Sequence, residues 1–144
     1  MAADSPATSI VPGAASTTAC EPPAVTVLVC RSCRLRDIPA EGVRPGSRLL
    51  DAVTKAAENT GITVQGVSCL ANCRRGVNVA MLRDGGWSYL FGKLDEESAG
   101  DIIAGAELFA TSADPFMPFR GRPQALKRGL IARIPTFDHL KDLP

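Results

Sequence analysis

The stretch SRLLDAVTKAAENTGITVQGVSC, residues 47–69, decides the fold. Its first half has a helical period, with Leu49, Leu50, Val53, Ala56 and Ala57 on one face. Ser47 is the expected N-cap and Gly61 the expected stop. The second half, ITVQGVSC at 62–69, reads as a strand. Upstream, VTVLVC at 25–30 is β-branched and apolar and reads as a buried strand. Strand, helix and strand in that order make a βαβ unit, with parallel strands and a right-handed crossover.

Further along, VNVAMLR at 77–83 and WSYLFGKL at 87–94 flank Asp84-Gly85-Gly86, a hairpin turn signal. DEESAGDIIAGAELFA at 95–110 opens with Asp95 as cap and acids in its first turn. Its apolar stripe is Ala99, Ile102, Ile103 and Ala106. The order βαβ–ββα is that of a thioredoxin-like sandwich: an α/β (α+β sandwich) fold, its helices packed on a four-stranded mixed sheet. From Asp114 the composition changes. DPFMPFRGRPQALKRGLIARIPTF carries four prolines and five basic residues, and no acid lies between Asp114 and Asp138. Proline spacing argues against one long helix, although QALKRGLIA has room for a turn or two. The expected organisation is a disordered leader at 1–24, a thioredoxin-like domain at 25–113 and a Pro/Arg-rich tail at 114–144. The tail should pack on the domain and cover an edge strand, because Leu126, Leu130, Ile131 and Ile134 need an apolar home. There is no internal repeat at domain scale.

The 144 residues, 45% hydrophobic and 22% charged, suit one soluble domain. A net charge of +1 and 5% aromatic residues give no basic stripe with interleaved aromatics, so nucleic acid is not an expected partner. No apolar run approaches the ~20 residues of a membrane helix. The first thirty residues hold no Lys or Arg, so they lack the basic start of a secretory signal. The expected location is the reducing cytoplasm, where spaced cysteines point to metal or redox chemistry before stapling.

Cys30 ends the first strand and Cys33 lies just beyond it; Cys69 ends the second and Cys73 follows. Parallel strands open their C-terminal ends on one edge of the sheet, where ligands of open α/β folds sit. Four thiols from two loops are therefore expected to converge there. The spacing is C-x2-C, 35 residues, then C-x3-C. Zinc and iron–sulfur clusters both accept a Cys-only tetrahedral site, and spacing alone leaves the two open. Arg31, Arg34, Arg36, Arg74 and Arg75 crowd the pairs and would lessen the charge of an anionic cluster.

Other readings have less footing. Buried free cysteines are often small hydrophobes, but two close pairs at strand ends are not explained that way. CRSC at 30–33 has the spacing of a redox dithiol. Such oxidoreductases oppose it with a cis-proline, however, and residues 46–114 contain none. Cys20 lies in the leader and reads as incidental. His139, the only histidine, reads as a solvated tail residue. Trp87, Tyr89 and Phe91 read as packing, and Asp95, Glu96, Glu97 and Asp101 as a capped helix start. No Ser–His–Asp set and no phosphate-cradling glycine loop after a strand is present, so no catalytic residue is assigned.

The stretches VLVCRSC, PGSRLL, VSCLANCRRGVNVAM, GWSYLFGKL and PFRGRPQALKRGLIARIP resemble a family of small metal-binding proteins of unassigned function, often found beside cobalamin-biosynthesis genes. The likeness runs from Val25 to Phe137. In fold order and in the CLANC loop the chain also resembles the thioredoxin-like 2Fe–2S ferredoxins. That resemblance maps the four cluster ligands to Cys30, Cys33, Cys69 and Cys73. The second pair fits the ferredoxin C-x3-C; the first departs, since ferredoxins space those two ligands more widely. It implies a 2Fe–2S electron carrier, monomeric or a weak homodimer, that serves a redox partner protein, with a cobalamin-pathway enzyme one such partner. The alternatives are a zinc- or cobalt-binding adaptor or metal-delivery protein and a thiol–disulfide oxidoreductase.

Overall fold

A computed structural model describes residues 24–33 and 42–140. The expected leader, Cys20, Arg34 and Arg36 lie outside the described residues. Strand β1 (Val25–Cys30) leads to helix α1 (Pro45–Ala56), then β2 (Thr63–Val67). β3 (Val79–Arg83) and β4 (Ser88–Phe91) form the hairpin, and helix α2 (Ala99–Ala110) follows. The tail adds a short helix α3 (Gln124–Arg128), strand β5 (Leu130–Ile134) and a last turn α4 (Phe137–Leu140).

The sheet has five strands rather than the expected four, in the order β2-β1-β3-β4-β5. β1 and β2 are parallel; the other pairs are antiparallel. The fifth strand comes from the tail. β5 pairs with β4 from Ser88↔Ile134 to Phe91↔Leu130, with an irregularity at Leu90/Phe91. Its run LIARI is short and lies between Gly129 and Pro135, which hid it from the alternation test. Pairing saturates the open edge of β4 with backbone hydrogen bonds.

Helix α1 begins at Pro45, with Arg44 as N-cap and no side-chain cap bond, not at Ser47. Proline at the first helical position loses no bond that position would make. The Ser47 hydroxyl donates instead to the Arg31 carbonyl, 3.4 Å away. At the other end the chain leaves through Asn59 at φ 65°, so the left-handed stop is an asparagine and not Gly61. Asp95 does cap as expected: Oδ1 accepts the Glu97 N–H at 3.0 Å, and Ser98 Oγ accepts the Asp95 N–H at 3.3 Å. That box opens as a 3-10 turn at Glu96–Ser98 before α2.

The core is the apolar face of β1 (Val25, Val27, Val29) with Met81, Tyr89 and Phe91, closed by Leu49 and Val53 of α1 and by Ile102, Ala106 and Phe109 of α2. Two anchors tie the tail to it. Leu126 is fully buried, worth roughly 1.5–3 kcal/mol of transfer free energy. The Met117 N–H donates to the Tyr89 hydroxyl at 2.9 Å. Ile134 and Phe137, by contrast, stay exposed. Among the described residues no helix is long and apolar enough to cross a membrane.

Candidate cysteine site

The site starts from the parallel pair. β1 and β2 run in register with Cys30 opposite Val67, so both chains leave the sheet at one rim. The first loop is held tightly. The Arg31 N–H donates to the Val67 carbonyl at 2.9 Å and the Gly46 N–H to the Cys33 carbonyl at 3.0 Å. Gly46 has to be glycine, because a Cβ there would collide with the Cys30 carbonyl oxygen. The start of α1 therefore presses directly on the turn between the first two thiols, both of which are buried.

The second loop reaches back over the first. Ser32 Oγ donates to the Ser68 carbonyl, whose oxygen lies 4.0 Å from Cys30 Sγ. Cys69 and Cys73 are exposed. The Ala71 N–H donates to Cys69 Sγ at 3.1 Å, with Ala71 at φ 61°, and Cys73 opens the 3-10 turn Cys73–Arg75.

Asn78 joins the two loops. It is 0% exposed. Its Nδ2 donates to the Asn72 carbonyl at 2.8 Å and to Cys33 Sγ at 3.4 Å. Its backbone carbonyl accepts the Cys30 N–H at 3.1 Å. Its Oδ1 is buried without a partner. One side chain thus bonds both the buried pair and the residue just before Cys73. In the sequence it was only a polar residue inside an apolar strand; that interruption between Val77 and Val79 was the available signal. Arg44, whose Nη1 donates to the Ser32 carbonyl at 3.0 Å, was also missed.

The surroundings split the buried thiols. Burial pushes Cys30 up, but hydrogen bonds donated by Cys33 and by the N–H groups of Leu70 and Ser32 outweigh it, and its pKa falls below the ordinary thiol value. Cys33 is pushed up to about 11 by burial, by its donation to Cys30 and by the charge there; the two Asn78 N–H groups only partly counter this.

The structure brings Cys30 and Cys33 together and places Cys69 and Cys73 on the adjoining loop of the same rim. It does not gather all four: among the described residues, no group of three or more Cys, His, Asp or Glu side chains is placed to hold a metal ion. The donor set nevertheless fits a thiolate-held centre in kind. N–H groups point at the sulfurs of Cys33 and Cys69, and an anionic sulfur takes up such charge-assisted bonds. Of the arginines expected around the pairs, Arg31 lays its stem across Gly66 of β2, while Arg75 lines a separate cavity with Lys93 and Arg128. His139 bonds Thr136 through Nδ1 at 3.1 Å.

Comparison with known proteins bears on the fold. The chain is similar to a thioredoxin-like [2Fe-2S] ferredoxin from Aquifex aeolicus, with a TM-score of 0.51 and 17% identity over 76% of this chain and 91% of that one. A further structure, the wild-type thioredoxin-like [2Fe-2S] ferredoxin from Aquifex aeolicus at 1.5 Å, matches with a TM-score of 0.48 and 16% identity over 75% of this chain and 96% of that one. The fold is thioredoxin-like, as its element order implied. No curated protein matches the chain. The family described as "Protein of unknown function (DUF1636)" matches residues 27–136.

Proposed function

The chain belongs to the DUF1636 family, and we propose that it is a one-electron carrier whose Cys30, Cys33, Cys69 and Cys73 hold a 2Fe–2S cluster. The observation that carries this reading is the closure of one cysteine loop over the other: the Ser68 carbonyl accepts from Ser32 Oγ, and Asn78 Nδ2 bonds both Cys33 Sγ and the Asn72 carbonyl just before Cys73. The fold neighbour, itself a 2Fe–2S ferredoxin, supports the same choice. A bound cluster would supply the one-electron chemistry. The chain's own residues would supply four thiolates, N–H donors at the sulfurs, and cations at the rim. An N–H bonded to a ligand sulfur lowers the charge density there and favours the reduced state. Arg31, Arg44 and Arg74 act in the same direction.

The carrier would act on a redox partner protein in a reducing compartment such as the cytoplasm. The link to cobalamin synthesis rests on sequence resemblance alone.

Anaerobic purification followed by visible absorption, metal and sulfide analysis and electron paramagnetic resonance of the reduced sample tests the reading. The expected result is iron and sulfide in equal amounts and a signal that appears only on reduction. Stoichiometric zinc or cobalt without sulfide would overturn it in favour of a metal-binding adaptor. A second reading, thiol–disulfide exchange, has one observation of its own: Cys30 and Cys33, at C-x2-C spacing, are buried together at the end of β1. Insulin reduction by the reduced apoprotein, lost in Cys30→Ser, would favour it.

A further inference from the structure

Three stretches that the cysteine site does not use meet beside the turn Cys73–Arg75. Arg75, Lys93 and Arg128 surround a cavity of about 190 Å³ above Gly92 and Gly129. They come from distant parts of the chain: the end of the second cysteine loop, the residue pair after β4, and the end of α3. Backbone bonds lock these parts together. The Gly92 N–H donates to the Gly129 carbonyl at 2.8 Å and the Lys93 N–H to the Arg75 carbonyl at 2.6 Å. No side chain fits at either glycine, and Leu130 and Ile131 complete the lining. A Cβ at Gly92 would come 2.6 Å from the Arg75 carbonyl oxygen, and one at Gly129 would come 2.6 Å from that of Gly92. Lys93 sits at φ 55°, a conformation that disfavours residues with a Cβ. The stems of the three cations are thus fixed relative to one another, although their ends reach solvent.

Their grouping needs a reason. Like charges gathered round one cavity repel, and among the described residues no carboxylate lines it. Other tail cations are placed differently: Lys127 lies over Phe119, and Arg133 over Trp87 and Phe116. The volume is many times the ~10–15 Å³ that one water needs, room for a small anion with part of its water shell. Two guanidinium groups and an ammonium are the donor set that recognises phosphoryl oxygens.

We propose that this cavity binds a phosphate-type dianion, either inorganic phosphate or the phosphoryl group of a small phosphomonoester. The proposal does not depend on what the cysteines hold. Isothermal titration of the full chain with inorganic phosphate, and separately with a simple alkyl phosphate, tests it. Saturable one-to-one binding is expected. Lys93→Gln and Arg128→Gln should each weaken it about tenfold or more. Arg74→Gln, an exposed cation on the neighbouring turn outside the lining, should change it less than about twofold. Binding of both ligands means that the cavity reads a phosphoryl group; binding of inorganic phosphate alone means that it takes the free anion. Three results would overturn the proposal: no saturable binding, an equal loss in Arg74→Gln, or succinate binding as tightly as phosphate. Circular dichroism of each variant, and a phosphate-induced rise in melting temperature seen only with the intact cavity, separate loss of binding from loss of fold.

Discussion

Cys30 and Cys33 are each 1% exposed, whereas Cys69 and Cys73, on the neighbouring loop of the same rim, are exposed. The first loop is held by β1, by the β2 backbone, by the start of α1 and by Asn78. The second touches the first through Ser68 and, by way of Asn78, through Asn72, but leaves its own sulfurs outside. The difference teaches that the site is built in halves. One half is part of the hydrophobic core; the other is backbone laid over it, whose thiols face solvent. Metal sites commonly complete their folding on binding, since the ligands gain their partner only then.

The largest expected effect follows from that asymmetry. Cys30→Ser and Cys69→Ser should both abolish the bound centre, read as iron or zinc per chain. They should part company in the reduced apoprotein. A serine hydroxyl at the buried position 30 costs about 1–3 kcal/mol, whereas the exposed position 69 should change urea stability by less than ~0.5 kcal/mol. Equal losses in the apoprotein would mean that the second pair is as much a part of the core as the first.

Asn78→Ala addresses the joint between the halves. It strips Cys33 Sγ and the Asn72 carbonyl of their shared donor, but it also removes the unpartnered Oδ1. The cost to the apoprotein should therefore fall at the low end of the ~1–3 kcal/mol for a lost buried bond. Metal affinity should drop roughly 10–100-fold, as for other residues that orient a ligand, measured by competitive zinc or cobalt titration. Unchanged affinity with reduced stability would make Asn78 a packing residue only.

Asn78 also marks where the sequence stopped being legible. Element periodicity is local, so β1, the βαβ unit, the hairpin and the Asp95 cap could be read from their own residues. The strand β5 could not: five residues between a glycine and a proline carry too little pattern, and only the open edge of β4 gives them a reason to be extended. For the thiols, parallel strands predict a shared rim, and the structure has one. Whether four sulfurs close on one point depends on the path of residues 68–75, which side-chain type does not specify. The bond from Asn78 to Asn72 and Cys33 crosses between loops, so no spacing rule along the chain reveals it.

The buried half should also impose a pH dependence. Burial pushes Cys33 up to about 11, above the ordinary thiol value of 9.0, so the fold favours the protonated thiol. Its contribution is fully present below about pH 9 and is lost as pH rises toward 11. Cys30 is shifted the other way, and its contribution is in place above the ordinary thiol value and lost only as pH falls through its depressed one. Between pH 9 and 11 Cys33 should therefore lower stability, by about 1–3 kcal/mol for a shift of this size. Urea melts of the reduced apoprotein should weaken across that window, and Cys33→Ala should flatten the curve. A window that survived in Cys33→Ala would place the effect elsewhere.

The smallest expected effect lies in the exposed half. Ala71 holds φ 61° while its N–H bonds Cys69 Sγ. A left-handed alanine costs roughly 1–2 kcal/mol, and glycine removes that cost but loses about 0.5–1 kcal/mol more backbone entropy on folding. The balance predicts that Ala71→Gly stabilises the apoprotein by ~0.5–1 kcal/mol, seen as a small rise in urea midpoint, with metal content unchanged. The sign of the metal result is the informative part. If the second loop is only a strand of backbone waiting for its ligand, relaxing Ala71 leaves affinity where it was. If affinity falls instead, the left-handed turn is already holding Cys69 for the centre, and the two halves are less unequal than their burial makes them.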